Sequence, residues 1–435
     1  PTEYLLLGIA GFVLAGSLTW PIRKVAIAIG AMDKPNLERK SQKEPVPYLG
    51  GIAIAISVVI LTFVAVIRSD NTQTTFPLAA TLLFPAIFLG LMGLIDDLAS
   101  LNPLPRLIIQ SVMAIVVSIF LIKSDTVGIQ LKGTFVDEIV MTIWIIGICN
   151  SINFFDNLDG GAAGTVAVST IGIGLIALGE GQELIAALSI VTAGSTIGFL
   201  MWNRSPAKIY MGDAGALFLG VVVSVLTIRL NPGIAPKWNS ISLLPMLLAV
   251  PILDTCVAVF SRISRGISPF TGGKDHLSHR LMRKGLSKKD TAFALWGAQA
   301  VFVGAALAVY QWTSAVGTEL VFTNIPFYYS NQSGTTNMWT NGLQSQYSQN
   351  LTLVVPSSNS SFSAWQQVYN SGNWTLADIK AAWRNISLVF YDNGNSANSA
   401  KLYSGTYTSG SQSNTLAGSG TYNLDGYLRD VQRDQ

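Results

Sequence analysis

Five aspartates, Asp96, Asp97, Asp156, Asp159 and Asp213, stand where long apolar runs stop. The densest stretch is Asn150 to Gly164, N-S-I-N-F-F-D-N-L-D-G-G-A-A-G, directly after the apolar run Ile139 to Cys149. If a helix continues from that run, Asn150, Asn153 and Asn157 share one face with Asp156 at its edge, because residues three and four apart are neighbours. A carboxylate this close to hydrocarbon costs about 2.5 to 3.5 kcal/mol on insertion scales, so it usually lines a cavity, pairs with a cation or does chemistry. The alternative is a helix that ends in water, with Asn and Asp as caps and turn formers. Asp96 and Asp97 close a second apolar run in G-L-I-D-D-L-A-S-L-N-P-L-P-R, with Arg106 following. Adjacent carboxylates repel, which favours a bound cation or one raised pKa, although a solvated interfacial stop would read the same way. Asp213 lies between Gly212 and Gly215 in N-R-S-P-A-K-I-Y-M-G-D-A-G-A. The small neighbours leave room for a metal and a phosphate at a helix start, while a plain helix cap needs no function.

The only histidines, His276 and His279, fall in G-G-K-D-H-L-S-H-R-L within a loop, Arg262 to Asp290, that sets many basic residues against Asp275 and Asp290. Two histidines three apart could begin a zinc site, but such sites recruit a third ligand and no thiol is near. Hydrogen bonding to a phosphorylated substrate is the preferred reading. Asp254 is a further acid inside an apolar run, expected to face a bundle interior.

The elements that must carry these residues are membrane helices. Half of the residues are hydrophobic and 12% are charged, which marks a membrane protein. Apolar runs of spanning length recur around 3 to 20, 49 to 67, 76 to 95, 104 to 122, 135 to 150, 163 to 179, 184 to 202, 214 to 229, 240 to 261 and 291 to 312, predicting an all-α polytopic bundle of about ten transmembrane helices. The run from Tyr4 reads as a first span rather than a signal peptide. Cys149 and Cys256 read as buried thiols outside any disulfide framework. Alternate loops hold most of the Lys and Arg, including Arg23, Lys24, Lys34, Arg39, Lys40, Lys43, Arg204 and Lys208, so they and the acid motifs should be cytoplasmic. Ten spans would then place both termini outside. The first such loop, Asp33 to Gly51, ends in Pro45, Pro47 and a Gly pair. Its prolines stiffen it and its glycines would let backbone approach a ligand, unless it is simply a basic surface loop. From about Thr313 the composition turns to Ser, Asn, Gly, Thr, Tyr and Trp. Alternating runs at Leu351 to Val355, Ser387 to Tyr391 and Leu402 to Tyr407 predict a small β-rich extramembrane domain over 313–435, beside a transmembrane domain over 1–312. N-x-S/T triplets at Asn331, Asn350 and Asn373 follow from that composition.

Asp33 to Gly51, Gly93 to Arg106, Asn150 to Gly164 and Asn203 to Gly215, followed by H-L-S-H-R-L, together resemble the polyprenyl-phosphate N-acetylhexosamine-1-phosphate transferases, glycosyltransferase family 4, over roughly residues 1 to 312. The resemblance implies that a UDP-N-acetylhexosamine donates sugar 1-phosphate to a polyprenyl phosphate, leaving UMP. It makes Asp96, Asp97 and Asp156 the expected catalytic acids. It assigns Mg²⁺, with Mn²⁺ as a substitute, to Asp97, Asp156 and Asp213. Asn150, Asn153, Asp159, Asn203, Tyr210, Arg106, His276, His279 and Arg280 are the expected substrate contacts, with Tyr210 stacking on uracil. This sequence departs from the pattern at Ser41 and Gln42, where a His is usual, and at Asn157 within the D-G-L-D-G core. H-L-S-H-R-L favours the undecaprenyl-phosphate N-acetylglucosaminyl branch, which starts lipopolysaccharide O-antigen, teichoic-acid or capsule carriers, over the muramoyl-pentapeptide branch. Direct attack by the lipid phosphate is preferred to a covalent aspartyl intermediate. The expected partners are the donor, the lipid and the cell (inner) membrane, with no nucleic acid; homodimerisation is left open. Two other classes compete: a transporter whose midplane acids bind ions, which clustering of the acids at one face argues against, and a binding protein whose tail is the active part.

Overall fold

The computed structural model describes residues 2–33, 44–69, 72–99, 101–124, 126–129, 134–234, 237–268, 273–315, 320–332, 335–337, 347–355, 388–392 and 401–403. Ser41, Gln42, the basic residues between 34 and 43, Asn373 and the end of the Leu402 to Tyr407 run lie outside them. The chain divides into one unit of Pro1–Pro232 and Pro236–Tyr310 and a second of Gly233–Ala235 and Gln311–Gln435.

The first unit is helical: α1 Thr2–Ala28, α2 Gly51–Ile67, α3 Thr72–Ala99, α4 Pro103–Lys123, α5 Thr134–Phe155, α6 Gly161–Gly179, α7 Glu183–Asn203, α8 Gly212–Arg229, α9 Lys237–Leu247, α10 Ala249–Ile263, the short α11 Leu277–Arg283, and α12 Lys288–Ala315. Two residue pairs, β1 Met32–Asp33 and β2 Val46–Pro47, form an antiparallel ladder across the first loop. About ten spans were expected. Among the described residues eight single helices are long and apolar enough to cross a membrane, or nine if α9 and α10, bent by 74°, form one span. The run 240–261 was expected as one span; it breaks at Leu248, between Pro245 and Pro251, each of which lacks a backbone N–H to continue the ladder. The remaining run, α2, has 17 residues and at 1.5 Å per residue reaches about 25 Å, at the short end of a span; it carries the chain from Gly215 at the start of α8 toward the start of α3, which packs at the other end of α8.

Glycines set which helices touch. A Cβ on Gly194 of α7 would strike the Gly8 carbonyl of α1, one on Gly198 would strike that of Phe12, and one on Gly51 of α2 would meet Gly215 of α8. Without water to drive apolar surfaces together in a bilayer, such close backbone approach supplies the attraction. α8 is the central helix, buried almost from end to end, whereas α1, α4 and α12 turn Leu5, Ile9, Ile108, Val112 and Val301 outward. These contacts fix direction. Gly93 near the end of α3 meets Asp213 at the start of α8, while Tyr310 near the end of α12 donates to Glu180 after α6 at 2.6 Å. The ends of α3, α5, α7 and α10 and the starts of α4, α6, α8 and α12 therefore share one end of the bundle. All five aspartates lie there, rather than at mid-depth.

In the second unit the described residues form β3 Leu320–Gln332, β4 Thr335–Asn337, β5 Tyr347–Val355, β6 Leu388–Asp392 and β7 Lys401–Tyr403. They pair antiparallel in the order β4-β3-β5-β6-β7. The longest of them, Leu320–Gln332, was not among the strands read from the alternating runs.

Candidate active site

The site is built around Asp213 in the first turn of α8. Its two carboxylate oxygens accept from different helices, Oδ1 from the Asn153 amide of α5 at 2.7 Å and Oδ2 from the Arg106 guanidinium of α4 at 2.9 Å. The same Arg106 nitrogen donates to Asp96 at 2.5 Å, and Asp96 also accepts the Leu101 N–H at 2.7 Å. One guanidinium thus ties the end of α3 to the start of α8. Asp97 behaves differently from its neighbour. Its carboxylate accepts the backbone N–H groups of Asp213 and Ala214 at 3.0 and 3.1 Å, capping a helix that has no side-chain cap of its own and lowering the cost of its unpaired amides.

Asp156, one residue past α5, faces these acids. Burial first, then the charges of Asp213, Asp97 and Asp159, push its carboxyl up to about 7 from the ordinary 3.8, against a hydrogen bond from the Gly212 N–H. The cluster is short of positive charge. The sign for stability follows: the folded state holds this proton more tightly, so a stabilising contribution is complete below about pH 4 and is lost as pH rises through about 7. In metal-free detergent solution, thermal unfolding should therefore fall to lower temperature between about pH 4 and 7, and Asp156→Asn should flatten that fall. An unchanged pH slope in the variant would show that Asp156 is not under this electrostatic load.

Divalent magnesium commonly takes one or two protein carboxylates and completes its shell with water and substrate phosphate. No three His, Cys, Asp or Glu side chains among the described residues converge as a metal-ligand group. The expected trio of Asp97, Asp156 and Asp213 is accordingly not a protein cage, and Asp97 is committed to backbone. Asp156 and Asp213, charge-coupled across the α5–α8 contact, fit the two-carboxylate pattern.

The other expected contacts also bond within the bundle. Asn150 donates to Gln110 of α4 at 3.0 Å and to the Ile146 carbonyl, turned from the acids. Asn203 is buried, accepting the Gly160 N–H at 3.0 Å and donating to Ile209 at 2.9 Å, which joins the two acid-bearing loops. Tyr210 is half-buried beside Asp159, and burial, then the charges of Asp159, Asp33 and Asp156, raise its phenol. The glycine pair of the first loop approaches protein rather than open space: the Gly50 and Gly51 N–H groups donate to the carbonyls of Tyr210 and Met211, and the Tyr210 N–H to Pro47, at 2.8 to 2.9 Å. Asp159 accepts the Ala207 N–H at 3.3 Å and lies 3.9 Å from the Lys288 ammonium.

His276, expected as a donor contact, latches the start of α11 to α10. Its Nδ1 meets the wholly buried Asp254 at 2.7 Å and its Nε2 meets Arg262 at 3.2 Å. A guanidinium only donates, so Nε2 accepts and Nδ1 carries the proton to Asp254. Both nitrogens are used, which removes the zinc pair with His279. Asp254 also accepts the Leu277 N–H at 2.6 Å, capping α11 from α10. Next to it, the Ser278 hydroxyl donates to Asn157 at 2.5 Å, fastening α11 to the Asn150–Gly164 stretch. Arg280 donates to the Asp275 carbonyl at 3.0 Å and stays exposed. Burial, then the neighbouring His276, lowers His279. Asp275 is held down despite its burial by Arg262 and Arg265. His276→Ala strips the buried Asp254 of a partner and should cost about 1–3 kcal/mol of stability, read as a lower unfolding temperature together with weaker donor use. Unchanged stability with weaker donor use would return His276 to direct contact.

Sequence reasoning missed Gln110, Ser278, Lys288 and Trp296, whose indole donates to the Gly160 carbonyl at 3.1 Å. Only Gln110, a polar residue inside an apolar run, carried a signal.

Residues 79–231 match the model of a family described as Glycosyl transferase family 4. A Bacillus subtilis protein named probable undecaprenyl-phosphate N-acetylglucosaminyl 1-phosphate transferase is 32% identical over 311 residues, 70% of this chain and 85% of that protein. A Mycobacterium tuberculosis decaprenyl-phosphate N-acetylglucosaminephosphotransferase is 30% identical over 340 residues, 71% of this chain and 83% of its own. A Streptococcus pneumoniae phospho-N-acetylmuramoyl-pentapeptide-transferase is more distant, 24% identical over 311 residues, 68% of this chain and 91% of its own.

Proposed function

Because the chain belongs to glycosyl transferase family 4, we propose that it moves N-acetylglucosamine 1-phosphate from its UDP-linked form to undecaprenyl phosphate or a similar polyprenyl phosphate. The observation that carries this reading is the Asn153–Asp213–Arg106–Asp96 network at one end of a membrane bundle, where a water-soluble donor and a lipid acceptor can meet.

A lipid phosphate oxygen attacks the sugar-bearing β-phosphorus of the donor. The new P–O bond forms as the bond from that phosphorus to the bridging oxygen breaks, and the bridging oxygen leaves with UMP. A phosphate monoester is already mostly ionised near neutral pH, so neither Asp96 nor Asp97 is needed as a base. Asp213 and Asp156 would hold Mg²⁺, with Mn²⁺ as a substitute; when bound, the ion neutralises the diphosphate and the charge on the departing UMP. Arg106 offers its remaining donors to phosphate oxygens, Asn153 fixes Asp213, and Asp97 fixes the start of α8. Tyr210 and Asp159 flank the side from which the nucleotide would enter. Purified protein given a panel of UDP-sugars with Mg²⁺ and polyprenyl phosphate should form lipid-linked N-acetylglucosamine diphosphate, identified by mass. Preference for the muramoyl-pentapeptide donor would move it to the other branch.

The basic loops around Arg23, Arg204 and Lys208 support placing the site on the cytoplasmic side of the inner membrane, where it would start an envelope glycan. The chain leaves α12 at the end of the bundle away from the acids, which supports an extracytoplasmic, β-rich tail after Trp312. Truncation there should leave transfer intact, measured as lipid product per mole of enzyme. Loss of transfer would make the tail part of the enzyme.

A further inference from the structure

Between α7 and α12 lies a cavity of about 330 Å³ that shares only Asp159 with the groups placed around the proposed transfer. Its walls are apolar, formed by Leu200 and Met201 of α7 and by Phe293 and Trp296 of α12. Met201 and Phe293 are half exposed on the outer surface of the bundle, so the cavity opens toward hydrocarbon. Trp296 is not a loose wall. Its indole is hydrogen-bonded to the Gly160 carbonyl, and Gly164 lets the ring sit against the α6 backbone.

The mouth has the opposite chemistry. Arg204 and Lys289 line it, both exposed, and neither has an acid partner among the described residues; Lys289 lies 6.0 Å over the Phe293 ring. The one acid at the cavity, Asp159, is already engaged by the Ala207 N–H and by Lys288. An apolar slot under uncompensated cations suits an amphiphile with an acyl chain and an anionic phosphate head. A zwitterionic head would bring its own cation against Arg204 and Lys289.

We propose that this cavity binds an anionic phospholipid, its phosphate between Arg204 and Lys289 and its acyl chain against Trp296. Because Trp296 is bonded to Gly160, an occupied cavity braces the turn that carries Asp159. Cations at any membrane end attract anionic lipid diffusely, so the test must separate a site from a field. The full chain is reconstituted in nanodiscs of equal phosphatidylglycerol and phosphatidylcholine, re-extracted, and its retained lipid counted by native mass spectrometry.

Wild type should keep phosphatidylglycerol over phosphatidylcholine. Arg204→Ala and Lys289→Ala should each cut that retention about fivefold, whereas Lys284→Ala, on the same basic face outside the cavity, should not. Arg204→Lys should keep most of the retention. Ala292→Phe, which fills the cavity with both cations in place, should remove it. Equal retention of the two lipids, or an equal loss in Lys284→Ala, would overturn the site. Stoichiometric displacement of phosphatidylglycerol by added polyprenyl phosphate would also overturn it, assigning the cavity to the acceptor.

Discussion

Asp213→Asn is expected to lower transfer by at least about a hundredfold, the scale seen when one preorganised charge-stabilising group is lost. The amide keeps the size of the carboxylate but not the charge that would hold a cation beside Asp156. It also breaks the network locally. Both carboxylate oxygens accept, one from Asn153 and one from Arg106, and an amide must present its NH₂ to one of those donors. Initial rates of UMP release by purified variant and wild type, with thermal unfolding to show that the variant is folded, provide the measurement. Near-normal turnover would remove Asp213 from the reacting centre.

Arg106→Ala should be the most damaging change in stability as well as activity. Arg106 keeps only 18% side-chain exposure and pairs with Asp96 at 7% and Asp213 at 32%. Removing one member of a buried pair costs about 3–5 kcal/mol; the partial exposure of Asp213 puts this case toward the lower end. Lysine should rescue it only in part, since a single ammonium cannot reproduce the directed donors of a guanidinium. The double variant Arg106→Ala/Asp96→Asn should recover part of the stability and none of the activity, because it relieves the orphaned carboxylate without restoring a phosphate contact. Equal stability of Arg106→Ala and wild type in detergent would mean that the ion pairs are not held in solution.

The acid motifs were legible because a carboxylate at the end of an apolar run is too costly to be idle, and their shared sidedness followed from counting runs. What each polar group touches was less legible. Asn150 and Asn203 looked like ligands, but an amide near hydrocarbon can equally satisfy another buried group, here Gln110 and the Gly160 and Ile209 backbone. Adjacent Asp96 and Asp97 read as one repelling pair, yet successive helix residues point about 100° apart, sending one to Arg106 and the other to the start of α8. The partner of Asp254 is 22 residues away, beyond any local pattern. The break in the 240–261 run did carry a signal, Pro245 and Pro251, that hydropathy alone passed over. The glycines of α1, α7 and α8 likewise fix helix contacts that no apolar run distinguishes.

The central claim is that the bond broken lies between the two donor phosphates, so the fate of the β-phosphate tests it most directly. UDP-N-acetylglucosamine labelled at the β-phosphorus should be incubated with the purified full chain, Mg²⁺ and polyprenyl phosphate, and the organic and aqueous phases counted. The account predicts that the label passes into the lipid while unlabelled UMP appears in water in equal amount, and that Asp213→Asn stops both. Label retained in water as UDP, with the sugar alone on the lipid, would contradict it.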